Sequence, residues 1–243
     1  MTDFLNTAAG RRIAYNRTAG RGPCVVFLGG FRSDMAGTKA VHLEAWARRQ
    51  SRSFLRFDYS GHGESSGAFD QGAISDWAAD ATEVIERLTE GPVVLVGSSM
   101  GGWIALLVAR RLDRVAGLVG IAAAPDFTED SLWAGFDTAQ RQTLMEMGRV
   151  DLPSEYGPSL TITRRMIEDG RECLVLRDPQ PFTGPVRLLQ GTNDSEVSRA
   201  TALALLDHID GDVRLTLVKG ADHRFSAPDC LAMIERAIDE VTS

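Results

Sequence analysis

Residues 92–103 read PVVLVGSSMGGW, an apolar run, a short glycine- and serine-rich turn, and then a segment that stays apolar almost all round through WIALLVA. A run apolar on both faces suits a central strand of a parallel sheet, which is covered by helices on each side. A helix without a polar face must lie between such a sheet and its neighbours. These twelve residues therefore direct the chain to an α/β architecture and place a sharp strand-to-helix turn in its middle. Gly97-Ser98-Ser99-Met100-Gly101 matches G-x-S-x-G with Ser99 at the centre. Glycine at 97 and 101 permits a close backbone approach that a Cβ would obstruct, and the helix N-terminus behind Ser99 favours developing negative charge. Ser98 is adjacent but off centre.

The same alternation of apolar run and amphipathic stretch continues along the chain. Residues 24–28, 54–57, 92–96, 115–122, 186–190 and 213–218 read as strands, and 12–16 as an antiparallel edge strand. Trp77, Ala81, Val84, Ile85 and Leu88 share one helical stripe, as do Leu231, Ile234, Ile238 and Val241, so both segments are expected to lie on the sheet. One segment breaks the rhythm. From 126 to 182 no strong strand is readable, while Trp133, Phe136, Leu144, Met145, Met147, Leu160, Met166 and Ile167 are scattered among charges. The expectation is one domain, 1–243, with a helical cap insertion at about 126–182, the alternative being an ordinary pair of sheet-flanking helices.

Composition removes several classes of function. The 243 residues carry 33 acidic and 26 basic side chains, a formal charge of −7, so nothing resembles an electrostatic footprint for nucleic acid or an anionic bilayer. The longest apolar runs fall well short of the roughly 20 residues that cross a membrane. The first fifteen residues lack the apolar core of a signal peptide, so a cytoplasmic location is expected. Cys24, Cys173 and Cys230 are odd in number and widely spaced, which suits reduced thiols better than a disulfide framework or a zinc site. No phosphate-binding loop and no metal-ligand spacing occurs, so neither cofactor nor metal is expected.

A serine hydroxyl needs a base within hydrogen-bond reach to act as a nucleophile. Of the four histidines, His223 in GADHRF follows the last expected strand and would emerge at the C-terminal edge of the sheet, where open α/β folds place their ligand crevice. His42 and His208 fall in helical stretches; His62, in the glycine-rich YSGHGESSG, is the one loop-borne rival. The base in turn needs an orienting carboxylate. Asp194, after the 186–190 strand, completes the order Ser, Asp, His. Asp126 would leave the same edge and is a rival, with Glu196 third; Asp222 is too near His223 in the chain to reach its far nitrogen. For an oxyanion hole, the amide of Met100 is one donor, and the turn Gly29-Gly30-Phe31 offers the amide of Phe31 as the other. Arg164 and Arg165 would touch a substrate only if the insertion folded over the site.

Taken together, the strand, G-x-S-x-G, the insertion and then Asp and His after successive strands resemble the α/β-hydrolase superfamily along essentially the whole chain. The segments GGFRSDMAGTKA (29–40), RFDYSGHGESSG (56–67) and GSSMGGW (97–103) look like its branch of acyl-glucuronide esterases and palmitoyl-protein thioesterases, with their bacterial relatives. The resemblance implies a mostly parallel sheet of about eight strands flanked by helices. It also implies Ser99, Asp194 and His223 as triad and Phe31 and Met100 as oxyanion donors. The expected activity is a serine hydrolase acting through an acyl-enzyme on Ser99. Its partner would be a small ester or thioester with an apolar acyl or aryl group, or an acylated protein. The alternatives are the same triad used for carbon–carbon bond hydrolysis, lyase or peroxidation chemistry, and a non-catalytic module that keeps the pocket.

Overall fold

The computed structural model describes residues 2–152 and 159–242. In chain order it runs β1 (Asp3–Asn6), β2 (Arg12–Thr18), β3 (Arg21–Leu28), α1 (Thr38–Arg49), β4 (Arg52–Phe57), α2 (Ile74–Leu88), β5 (Val93–Ser98), α3 (Met100–Ala109) and β6 (Val115–Ile121). There follow α4 (Thr138–Met147), β7 (Arg149–Leu152), β8 (Leu160–Thr163), α5 (Arg164–Glu172), β9 (Val186–Gly191), α6 (Arg199–His208), β10 (Val213–Val218) and α7 (Pro228–Val241). Eight strands form one sheet in the order β1-β2-β4-β3-β5-β6-β9-β10, with β4 through β10 parallel and β2 antiparallel to both neighbours. Among the described residues, no helix is long and apolar enough to cross a membrane.

The two-residue period of the central strands sorts their side chains between two cores. On β3 and β5, Val26, Leu28, Val93 and Leu95 pack with α2 and α3, whereas Val25, Phe27, Val94 and Val96 face α1 and α7. This is why the strands read as continuous apolar runs rather than as alternations. α3 is buried along nearly its whole length, with Trp103 and Ile104 fully inaccessible, as its lack of a polar face requires. From β3 the chain crosses to β4 on one side, then returns past β3 to β5 on the other. The strand order therefore reverses between β3 and β5, which stay paired up to Leu28↔Gly97, and the chains that leave them turn to opposite faces of the sheet, α1 to one and α3 to the other, where open α/β folds have their crevice.

Two features differ from the sequence reading. The segment at 12–16 is antiparallel, but it is not the edge, because β1 pairs outside it from Asp3↔Tyr15 to Asn6↔Arg12. The segment 126–182 is not purely helical either. It holds a π-helical turn (Thr128–Trp133), α4 and α5, and also the antiparallel pair β7–β8, registered with Val150 opposite Ile162. Four-residue strands are marginal on their own. This pair is stabilised by burying Val150 and Ile162 in the same core as Leu144 of α4, a tertiary contact with no local signature. The segment is anchored to α2 by Asp169, which accepts from the amide and the hydroxyl of Ser75, and by Arg165, which donates to Asp76 and to the Gln71 carbonyl.

Truncating the sandwiched helix tests the two-core arrangement. Ile104→Ala should cost about 3 kcal/mol and lower Tm by about 6–12 °C for a chain of this size, measured by thermal and urea unfolding. An unchanged midpoint would mean that α3 does not lie in a packed core.

Candidate active site

Ser99 sits between β5 and α3 with φ 53° and ψ −120°, a conformation that costs an L-residue roughly 1–3 kcal/mol. The neighbourhood holds it there. The Ser99 amide donates to the Ile121 carbonyl at 2.9 Å, and the Ser99 carbonyl accepts from Gly102 at 2.9 Å and from Ala124 at 3.0 Å, tying the turn to the end of β6. The flanking glycines answer to close approach. A Cβ on Gly97 would stand 2.3 Å from the Gly101 carbonyl oxygen, and one on Gly101 would stand 2.0 Å from the Leu28 carbonyl oxygen at the end of β3.

Asp194 and His223 arrive from strands farther along the sheet. The loops after β9 and β10 are laced together: the amides of Thr192 and Asn193 donate to Val218 and Ala221, and Gly220 donates to the Thr192 hydroxyl. Phe225, fully buried in the α1/α7 core at φ 50°, anchors the far end of the histidine loop. As a result His223 Nδ1 lies 2.9 Å from Asp194 Oδ2, and Nε2 lies 3.2 Å from Ser99 Oγ. A carboxylate only accepts, so Nδ1 carries the proton and Nε2 is left as the acceptor for the serine hydroxyl. Asp194 is almost inaccessible. Its Oδ1 accepts from the amides of Glu196 and Val197, and its Oδ2 accepts from the Gln190 side-chain amide as well as from His223. Gln190 is a partner of the Asp194 carboxylate that sequence reading missed; its one signal is a polar residue near the C-terminal end of the strand, four positions before the aspartate.

The turn 29–31 after β3 abuts the serine, since a Cβ on Gly30 would stand 3.3 Å from that of Ser99. Phe31 packs its ring against Phe69, Trp77 and Phe127 at centroid distances of 4.9, 6.1 and 5.3 Å. Both Phe31 and Ser99 line a cavity of about 570 Å³. One wall is aromatic and aliphatic, with Phe127, Leu132, Leu160 and Leu176 contributed by the insertion. Ser195, Glu196, Ser198 and Thr201, from the loop after β9 and the start of α6, add a polar stretch to the lining.

With this geometry in view, comparison with known proteins is decisive about kinship. The family model described as Alpha/beta hydrolase family matches residues 25–241. The chain belongs to that family. It is 35% identical over 242 residues to the mitochondrial palmitoyl-protein thioesterase ABHD10 of Mus musculus, covering 98% of this chain and 81% of that protein. Among solved structures, a putative hydrolase from Agrobacterium vitis S4 superposes with a TM-score of 0.95 at 38% identity, covering 100% of this chain and 99% of the other. The mouse alpha/beta hydrolase domain-containing protein 10 does so with a TM-score of 0.90 at 33% identity, covering 99% and 97%.

Of the rival residues Glu196 alone reaches the imidazole, with Oε2 3.4 Å from Nε2, the nitrogen that faces Ser99 rather than Asp194; the others lie elsewhere in the hydrolase fold. Asp126, fully buried at φ 56°, accepts from the amides of Val175 and Leu176 and pairs with Arg177, so it joins the two ends of the insertion rather than meeting His223. Burial pushes its carboxyl above the ordinary value against those two amides. His62 is enclosed by Tyr59, Phe69 and Trp77, and burial pulls its ring below the ordinary value. His42, half-buried on α1, pairs with Glu235 of α7 at 2.8 Å. Arg164 pairs with Glu168, while Arg165 is spent on α2.

Burial alone would raise the Asp194 carboxyl, but the Val197 amide, His223 and the Glu196 amide together hold it below the ordinary 3.8. A group whose folded pKa is depressed stabilises fully above its unfolded pKa, and that contribution is lost as the pH falls through the folded value. Urea unfolding of wild type and Asp194→Asn should therefore show a stability gap that is present at about pH 5 and narrows as the pH falls below 3.8. A gap that keeps its full size, or widens, below 3.8 would contradict this electrostatic picture.

Proposed function

We propose that the protein is a cofactor-independent serine hydrolase that cleaves carboxylic esters or thioesters bearing an apolar acyl group. The hydrogen-bonded chain from Asp194 through His223 to Ser99 Oγ, opening into the 570 Å³ cavity, carries this reading. The hydroxyl of Ser99 attacks the carbonyl carbon while His223 Nε2 takes its proton. Asp194 stabilises the imidazolium, and the amides of Phe31 and Met100 receive the negative oxygen. Collapse expels the alcohol or thiol with the proton held on Nε2, leaving an acyl ester on Ser99. Water, activated by the same imidazole, then releases the carboxylic acid and restores the serine.

The aromatic and aliphatic wall supplies a surface for an acyl chain, and the thioesterase name of the mouse relative supports thioesters among the substrates. A panel of nitrophenyl esters from acetyl to palmitoyl, with matching thioesters, tests the proposal. Ser99→Ala should abolish both turnover and fluorophosphonate labelling. Asp194→Asn should lower kcat by about 10⁴-fold with the fold intact, as expected when the imidazole is left in the wrong tautomer. Full activity in Ser99→Ala would refute the proposal.

A further inference from the structure

We infer that Glu196 makes the site discriminate against anionic leaving groups and favour neutral or cationic ones. This rests on the acyl-enzyme reading above, because it follows from where the leaving group must depart. Among the described residues, three carboxylates line the cavity, Asp130, Asp194 and Glu196, and no lysine or arginine does. Two of them are already matched. Asp130 is held by both terminal nitrogens of Arg177 at 2.5 and 3.1 Å, and Asp194 is nearly inaccessible beneath His223. Lys39 and Arg224 belong to a separate cavity. Glu196 differs from both: its side chain is 67% exposed, and its one ion-pair partner among the described residues is the imidazole itself, with Oε2 3.4 Å from His223 Nε2.

That nitrogen hands its proton to the departing oxygen or sulfur, which must come within hydrogen-bond reach, about 3 Å, to receive it. The leaving group therefore emerges beside the Glu196 carboxylate, along the wall that also carries Ser195, Ser198 and Thr201. A unit charge on it at roughly 6 Å in a water-like medium changes the rate about threefold, so cationic and anionic leaving groups differ by about tenfold. Because Glu196 is exposed, salt should weaken the effect.

The test uses three hexanoyl thioesters on the full chain, with thiocholine, N-acetylcysteamine and 3-mercaptopropionate as leaving groups, and reads the ratio of kcat/KM between the first and the last. Comparing that ratio across variants cancels both the intrinsic reactivity of each thioester and any general loss of activity. From wild type to Glu196→Gln it should fall about tenfold at low ionic strength, fall further in Glu196→Lys, and narrow in wild type when salt is added. A ratio that agrees within twofold between wild type and both variants overturns the inference and leaves the hydrolase reading standing. If wild type cleaves neither these thioesters nor nitrophenyl hexanoate, the hydrolase reading falls and the inference with it.

Discussion

The site depends on one turn: β5 must become α3 through a single residue held at φ 53°. Ser99 can stay in that conformation only because its amide and carbonyl are bonded to the end of β6, and because two glycines let the start of α3 press against β3 and β5. The strain is therefore offset by the central sheet itself, whose strands are buried on both faces. A turn of this kind could not be held at the rim of the sheet, where unpaired edges supply neither the carbonyl of Ile121 nor the packing of Leu28.

The rest of the constellation follows from spacing across the sheet. Neighbouring strands stand about 4.8 Å apart, so the end of β9, two strands from β5, is too far for a carboxylate to reach the serine directly. An imidazole fills the gap, and the β10 loop that carries it leans back over β9 through the bonds among Thr192, Asn193, Val218 and Ala221. The insertion then closes the crevice from above. Asp126 binds its beginning to its end, Asp169 and Arg165 fasten it to α2, and the side chains it contributes turn an open crevice into a cavity lined by both apolar and polar residues.

Much of this arrangement was legible because it is local. An apolar run, G-x-S-x-G and an apolar helix occupy consecutive residues, and the central strands announce themselves by lacking alternation. What was not legible depends on partners distant in the chain. β1, β7 and β8 have four residues each and gain their stability from what they pair with or pack on. Asp126 and Asp194 both follow strands at the same sheet edge; sequence order favoured Asp194, but only the backbone at φ 56°, which turns Asp126 toward Val175 and Leu176, separates them in space. Gln190 acts through a side chain that meets Asp194 only once the β9 loop has closed, and Glu196 stands beside His223 for the same reason.

The central claim is that the acyl group of the substrate passes onto one hydroxyl oxygen as the alcohol or thiol leaves. Rapid-quench mass spectrometry of the full chain mixed with a nitrophenyl hexanoate tests it most directly. The account predicts a transient gain of one hexanoyl group, mapped by peptide fragmentation to Ser99 and absent from Ser99→Ala. Product release with the chain unmodified at every quench time, or an adduct on another residue that persists in Ser99→Ala, would contradict it.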